Sequence, residues 1–121
     1  MFANQITLID GVECSTPVVL RRATAKDAQR MERFFRQFDE VSFCEWQDAK
    51  CLRGVLIQKT TTAYLAFDVA GEIVGAVLGG MLGSRGTINH LAVRPRYRSQ
   101  GVGQRLVEAA SSDLKRVGVL R

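Results

Sequence analysis

The stretch His90-Leu91-Ala92-Val93-Arg94-Pro95-Arg96-Tyr97-Arg98-Ser99-Gln100-Gly101-Val102-Gly103 joins a β-like run to a helical one through a basic loop that contains two glycines. Such a junction suits anions. The first N–H groups of a helix lack intrahelical partners and lie at the positive end of the helix dipole, so they bind phosphate oxygens. Gly101 and Gly103 let that backbone approach a ligand with no Cβ in the way, and Arg96 and Arg98 place positive charge beside it. The residues alone predict a phosphate or pyrophosphate site without naming its ligand, and an ordinary tight strand-to-helix loop carries the same Gly-x-Gly.

Downstream of this stretch, Val102, Leu106, Ala109, Ala110, Leu114 and Val117 recur at helical spacing, while Arg105, Glu108, Asp113 and Lys115 fall elsewhere. A long helix is expected there, followed by Gly118-Val119-Leu120-Arg121, which reads as the opening of another strand. Upstream lie three β-like runs, at 64–69, 73–78 and 87–93, separated by turn residues at Ala70-Gly71 and Gly83-Ser84-Arg85-Gly86. They predict an antiparallel meander.

Further upstream, Ala28, Met31, Phe34, Phe35 and Phe38 recur three and four apart, with Lys26, Arg30, Arg33 and Arg36 on the remaining face, the mark of an amphipathic helix. Thr24 can cap it, with Asp27 at the third helical position. A second helix is expected from about Glu45 or Trp46 to Gln58, with Trp46, Leu52, Val55 and Leu56 apolar and Gly54 weakening its continuity. A short strand at 18–22 precedes the first helix, and Asp10-Gly11 suits the turn of a small hairpin over 6–14.

The chain has 121 residues, enough for one domain, and its 46% hydrophobic and 24% charged residues are those of an ordinary globular protein. A net charge of +5 favours anionic partners: nucleic acid, a membrane surface or a polyphosphate-bearing molecule. Of its arginines, Arg94, Arg96, Arg98 and Arg105 form the local group. Three cysteines, Cys14, Cys44 and Cys51, form neither an even set nor a CxxC pair, which argues against a disulfide framework and a zinc site and favours a reducing compartment. With neither a basic, apolar secretion signal at the N-terminus nor a run long enough to span a bilayer, the cytoplasm is the expected location and no membrane partner is expected.

Arg98-Ser99-Gln100-Gly101-Val102-Gly103 resembles the signature loop of the GNAT superfamily of acyl-CoA-dependent N-acyltransferases: Arg or Gln, two residues, Gly, one residue, then Gly or Ala. Leu91-Ala92-Val93-Arg94-Pro95 looks like that family's fourth strand and its exit, and the order strand, two helices, three strands, helix is similar to its first two-thirds. The resemblance runs from about Val18 to the C-terminus. It implies an α/β fold with a mixed, mainly antiparallel sheet flanked by helices, in a single domain over 1–121 that lacks the family's C-terminal strand, helix and hairpin. It implies acetyl-CoA as the acyl donor, its pyrophosphate held by main-chain groups of Arg98, Ser99, Gln100, Gly101, Val102, Gly103 and Gln104, and its pantetheine by Leu91, Ala92 and Val93. The backbone around Leu91 would polarise the thioester carbonyl, the reaction being direct attack by a primary amine of unknown identity.

In this family the general base is often a Glu or His on the fourth strand. Strict alternation puts Thr87, Asn89, Leu91 and Val93 on one face and Ile88, His90 and Ala92 on the other. Thr87 and Asn89 match the usual positions of the base, but neither can take a proton near neutral pH. His90 has an ordinary pKa suited to the task yet faces away from the expected cleft, unless a bulge interrupts the strand. Asn89 and His90 are therefore the candidate catalytic residues, the other reading of His90 being a hydrogen-bonded histidine packed under a helix.

Glu40, Glu45 and Asp48 are candidates to attract a cationic amine, although most surface carboxylates are simply solvated. Cys44 and Cys51 read as small buried hydrophobes, and Trp46 and Tyr64 as core residues. The missing C-terminal third predicts a fragment, or a homodimer or second chain that completes the sheet. The rival function is a noncatalytic acyl-CoA-binding module. A nucleic-acid binder rests on charge alone, without stacking aromatics or a groove-reading motif.

Overall fold

The structure, a computed structural model, describes residues 8–9, 12–13, 17–38, 49–82 and 85–116. Strands β1 (Leu8–Ile9) and β2 (Val12–Glu13) pair antiparallel, Leu8 opposite Glu13 and Ile9 opposite Val12, while the expected Asp10-Gly11 turn lies outside the described residues. Then follow β3 (Val19–Arg22), a 3-10 turn (Ala25–Asp27) running into α1 (Ala28–Phe35), α2 (Ala49–Leu56), β4 (Thr61–Phe67), β5 (Ile73–Leu82), β6 (Arg85–Val93), a second 3-10 turn (Pro95–Tyr97) and α3 (Val102–Arg116). The expected order of strand, two helices, three strands and helix is the order found. The main sheet has four strands in the order β3-β4-β5-β6, and each pairing is antiparallel.

The meander forms because β4 and β5 are apolar on both faces, which only a sheet covered on both sides can use. On one side Met31, Phe34, Phe35 and Phe38 of the α1 segment, with Leu52 of α2, pack on Ala63, Leu65, Ala76 and Leu78. On the other, Val102, Leu106 and Ala110 of α3 pack on Ala66, Val74, Val77 and Val93. Met31, Phe35, Leu52 and Leu106 are fully buried, and each contributes about 1.5–3 kcal/mol. The five predicted apolar positions from Ala28 to Phe38 are all in this core.

The start of α1 is fixed by Asp27 more than by the Thr24 hydroxyl. The Asp27 carboxylate accepts the Thr24 N–H at 2.9 Å and two bonds from Arg21, at 3.0 and 3.2 Å. The β4–β5 turn is built in the same way, Asp68 Oδ1 accepting the N–H groups of Ala70 and Glu72, with Gly71 at φ +85° closing it.

Four expectations change. The second helix is described over Ala49–Leu56 and ends before the expected Gln58, its expected start at Glu45 or Trp46 lying outside the described residues. Gly54 lies within it on the exposed side, where a missing Cβ costs only propensity. Cys51 is exposed, since only Leu52 of that turn points at the core. Asp113 is buried rather than outward, because it stands seven residues after Leu106 on the core stripe. Tyr64 is half-buried at the border of the α3 layer, beneath the Arg22 guanidinium at 5.4 Å, so it belongs to the core's margin. Residues Cys14, Glu40, Cys44, Glu45, Trp46, Asp48 and those from 117 onward, including the expected fifth strand, lie outside the described residues.

Candidate functional site

The site is assembled where β6 ends and α3 begins. Arg94 donates its N–H to Val74 O on β5 at 2.8 Å, so alternation turns the main-chain groups of Val93 and Leu91 outward and those of Ala92 toward β5. Among the described residues no strand pairs with the outer edge of β6. The Val93 carbonyl on that edge accepts a bond from Arg98 Nε at 2.9 Å. Leu91, 38% exposed, adds apolar surface there, while Ala92 is buried beneath α1. Of the three residues expected to hold an extended ligand arm, Leu91 and Val93 thus offer backbone partners and Ala92 supplies packing.

The 3-10 turn after Pro95 reverses the chain, Tyr97 N–H donating to Arg94 O at 2.8 Å. The loop then takes two left-handed steps, Ser99 at φ 64° and Gly101 at φ 84°. Ser99 is the only non-glycine with positive φ among the described residues, a conformation that costs about 1–2 kcal/mol and collects at functional loops. The first helical bond of α3 runs from Arg105 N–H to Gly101 O at 3.0 Å. That leaves the N–H groups of Val102, Gly103 and Gln104 at the head of the helix without intrahelical partners, all at its positive end.

The two glycines differ from each other in their surroundings. A Cβ on Gly101 would meet nothing within 4 Å, so it is the positive φ that calls for glycine. A Cβ on Gly103 would sit 3.6 Å from Val93 Cγ2 and 3.9 Å from Leu91 Cδ2, on the side facing β6. A methyl group at Gly103 would therefore make ordinary van der Waals contact with the strand.

The arginines separate as well. Arg98 is fixed to the strand, Arg96 lies over the Tyr97 ring at 5.6 Å, and Arg105 reaches Val18 O at 3.4 Å. Gln100 steadies the loop by donating from Nε2 to Arg96 O at 2.8 Å. Arg94 leaves the group: its Nε donates to Ile73 O, its Nη1 to Gln37 Oε1, and its guanidinium covers Phe34 at 5.2 Å, all on the α1 side.

Midway along β6 the pairing slips. Leu78 faces His90 but Gly79 faces Ile88, which leaves Asn89 as an extra residue, a β-bulge. This overturns strict alternation. Ile88 lies on the α3 side with Leu91 and Val93, its Cδ1 3.2 Å from where a Gly79 Cβ would stand, beside Thr62. Thr87 takes the opposite face and donates from Oγ1 to Asn89 Oδ1 at 3.0 Å. His90 is on that same face, its ring 5.5 Å from the ring of Phe35. The bulge thus gathers Thr87, Asn89 and His90 toward α1, with Asn89 exposed and His90 half-buried. Gly79 permits it, because a Cβ there would fall 2.7 Å from Thr87 O. The reading of the sequence missed Gly79; its signal was a Gly-Gly pair inside an apolar strand.

A β-strand with an open edge, a bulge at its centre and a left-handed loop leading into a bare helix N-terminus matches one family over nearly the whole chain. The model of the acetyltransferase (GNAT) family covers residues 21–121. The chain belongs to the GNAT family. Acetyltransferase SG1711 of Sodalis glossinidius is 39% identical over 51 residues, which is 42% of this chain and 36% of that relative. The chain therefore aligns with only about a third of this curated relative's length. Among solved structures, a GNAT acetyltransferase from Streptococcus pneumoniae is similar with a TM-score of 0.66 at 23% identity, covering 87% of this chain and 71% of that one. The PaiA N-acetyltransferase of Thermoplasma acidophilum, in complex with coenzyme A, gives 0.68 at 14% identity, covering 86% and 76%. At such identities these structures establish the GNAT fold.

Proposed function

We propose that this chain binds acetyl-CoA along the outer edge of β6 and transfers its acetyl group to a primary amine by direct attack. The observation that carries the reading is the meeting of three partner-seeking backbone features: the edge groups of Leu91 and Val93, the bulge at Asn89, and the N–H groups of Val102, Gly103 and Gln104. The coenzyme A held by the Thermoplasma relative supports a donor of this class.

In this reading the N–H groups of Ser99, Gln100, Gly101, Val102, Gly103 and Gln104 receive the pyrophosphate, the expected Arg98 N–H being held instead by Pro95 O at 3.1 Å, and the pantetheine arm pairs with Leu91 and Val93 beside the exposed Leu91 side chain. The outward Leu91 N–H takes the growing negative charge on the thioester oxygen, an oxyanion-hole role. An acceptor that arrives as an ammonium first gives one proton to a base; the neutral nitrogen then bonds to the carbonyl carbon, the C–S bond breaks, and the second proton lost by nitrogen goes to the leaving thiolate. In this reading His90 is that base, accepting the first proton directly or through water held by Asn89 and Thr87. The acceptor approaches from the α1 side, to which the bulge turns these groups. The odd cysteine count suits a reducing compartment, and we propose the cytoplasm. Among the described residues no helix is long and apolar enough to cross a membrane.

A second reading, a noncatalytic acyl-CoA-binding module, draws on one observation: the His90 ring packs on Phe35. Calorimetric titration with acetyl-CoA, CoA and a polyphosphate at two salt concentrations tests the shared part. Binding that survives salt and exceeds that of polyphosphate is expected; binding matched by polyphosphate would sink both readings. Release of free CoA thiol on addition of primary amines then favours the enzyme, and its absence across an amine panel favours the binding module.

A further inference from the structure

The outward face of α1 carries Arg30 and Arg33, one turn apart on the same side, and Gln37 stands in the turn that follows the helix. They face Gly71, Glu72 and Ile73 of the β4–β5 turn, together with Arg94, across a cleft of about 270 Å³ that Phe34 floors. This is the α1 side of the sheet, whereas α3 packs on the other. The cleft is thus separate from the head of α3.

Three guanidinium groups meet there with too little counter-charge. Arg33 has no side-chain partner among the described residues, and Glu72 forms no ion pair within 4.0 Å. Arg30 approaches Asp27 at 3.6 Å and lies over the Phe67 ring at 5.4 Å; Arg21 already holds that carboxylate at 3.0 Å, so the one anionic partner of Arg30 among the described residues is shared. Arg94 is fixed by Ile73 O, Gln37 Oε1 and the Phe34 ring, which leaves its Nη2 without a partner among the described residues. A guanidinium whose orientation is already set binds an oxyanion with little further loss of entropy.

We propose that this cleft is an anion site that takes one phosphate group, gripped by Arg33 and Arg94 with Arg30 at the rim. Charge selects phosphate over carboxylate: three guanidiniums and Glu72 leave an excess of about two, which a phosphate dianion neutralises and a carboxylate does not. Size agrees, because the cleft falls below the ~300–1,000 Å³ of sites that enclose a whole small molecule, so it takes a group and not a cofactor. Arg94 also connects the cleft to the acyl-donor loop, its carbonyl accepting the Tyr97 N–H at the turn that leads to Arg98. The phosphate comes either from the donor itself, as its 3′-phosphate, or from a separate phosphorylated small molecule.

The test compares the full chain, Arg33→Gln and Lys115→Gln, the last removing an equal charge at the far end of α3. Each is titrated with acetyl-CoA, with acetyl-3′-dephospho-CoA and with inorganic phosphate, by calorimetry and by the amide signals of Gly71 and Gln37. If the donor supplies the group, Arg33→Gln weakens acetyl-CoA about tenfold and leaves the dephospho compound unchanged. If a separate ligand does, inorganic phosphate moves the Gly71 and Gln37 signals in the parent and not in Arg33→Gln, with acetyl-CoA affinity equal in both. Arg33→Gln matching Lys115→Gln in every titration overturns the proposal. Loss of acetyl-CoA binding by the parent chain, with the phosphate response intact, would instead overturn the donor reading and leave this site standing.

Discussion

The two ends of α3 treat polar groups in opposite ways. At its C-terminal end, buried Asp113 accepts from Thr62 Oγ1 at 2.8 Å, pairs with Arg22 at 2.6 Å and also with Arg116, so α3 is tied to β3 and β4. Burial by itself works against ionisation there, but the Thr62 bond and the Arg22 charge outweigh it and hold the carboxyl below its usual range. At the N-terminal end the chain spends two left-handed residues to present N–H groups that have no intrahelical partner. A satisfied polar cluster stabilises the fold, while an unsatisfied, strained and exposed one is held ready for a ligand.

The largest effect expected from breaking this contrast comes from Gly101→Val. A β-branched residue cannot rest at φ 84°, so the loop should rearrange and acetyl-CoA affinity fall about a hundredfold by calorimetry. The chain should stay folded by circular dichroism. Unchanged affinity would mean that the donor does not read this loop's conformation.

Asp113→Asn acts on the other end. It should lower stability by about 1–3 kcal/mol in urea unfolding and leave acetyl-CoA affinity within about twofold. Asp27 behaves similarly: burial opposes its charge, but Arg21, the Thr24 N–H and Arg30 hold its carboxyl below the usual range. For a carboxyl with a lowered folded-state pKa, the stabilisation is full above the unfolded value near 3.9 and is lost as pH falls through the folded value. The parent's stability should therefore drop steeply below about pH 4, and each of Asp27→Asn and Asp113→Asn should flatten that fall. An unaltered acid limb in both variants would contradict the assignment.

The smallest effect separates the two glycines. Gly103→Ala puts a methyl group at ordinary contact distance from Val93 and Leu91, away from the helix N–H groups. Affinity should change less than about threefold, and helix propensity should add up to about 1 kcal/mol of stability. A loss as large as that of Gly101→Val would show that Gly103 clears room for the ligand.

The parts legible in the sequence were those written as a repeating period. The α1 stripe of Met31, Phe34, Phe35 and Phe38, the meander and the strand-to-helix loop all declare themselves through spacing or turn residues. What escaped depended on single offsets or on partners distant in sequence. One extra residue at Asn89 reverses the faces of Ile88 and Thr87, and a period-two pattern carries no mark of it except Gly79 on the neighbouring strand. Arg94 looked like part of the basic loop because it stands next to it, but its partners are Gln37 and Ile73. Asp113, being charged, looked like a residue off the Leu106 stripe, and its burial makes sense only once Arg22 and Thr62 are brought beside it.

The central claim is that acetyl-CoA occupies the head of α3 and the outer edge of β6. Amide chemical shifts recorded while acetyl-CoA is added test it most directly. The account predicts that the largest shifts fall on Leu91, Val93, Ser99, Val102, Gly103 and Gln104, while Thr62 and Asp113 stay still; saturable binding that moves the Asp113 end and leaves these amides unchanged would contradict it.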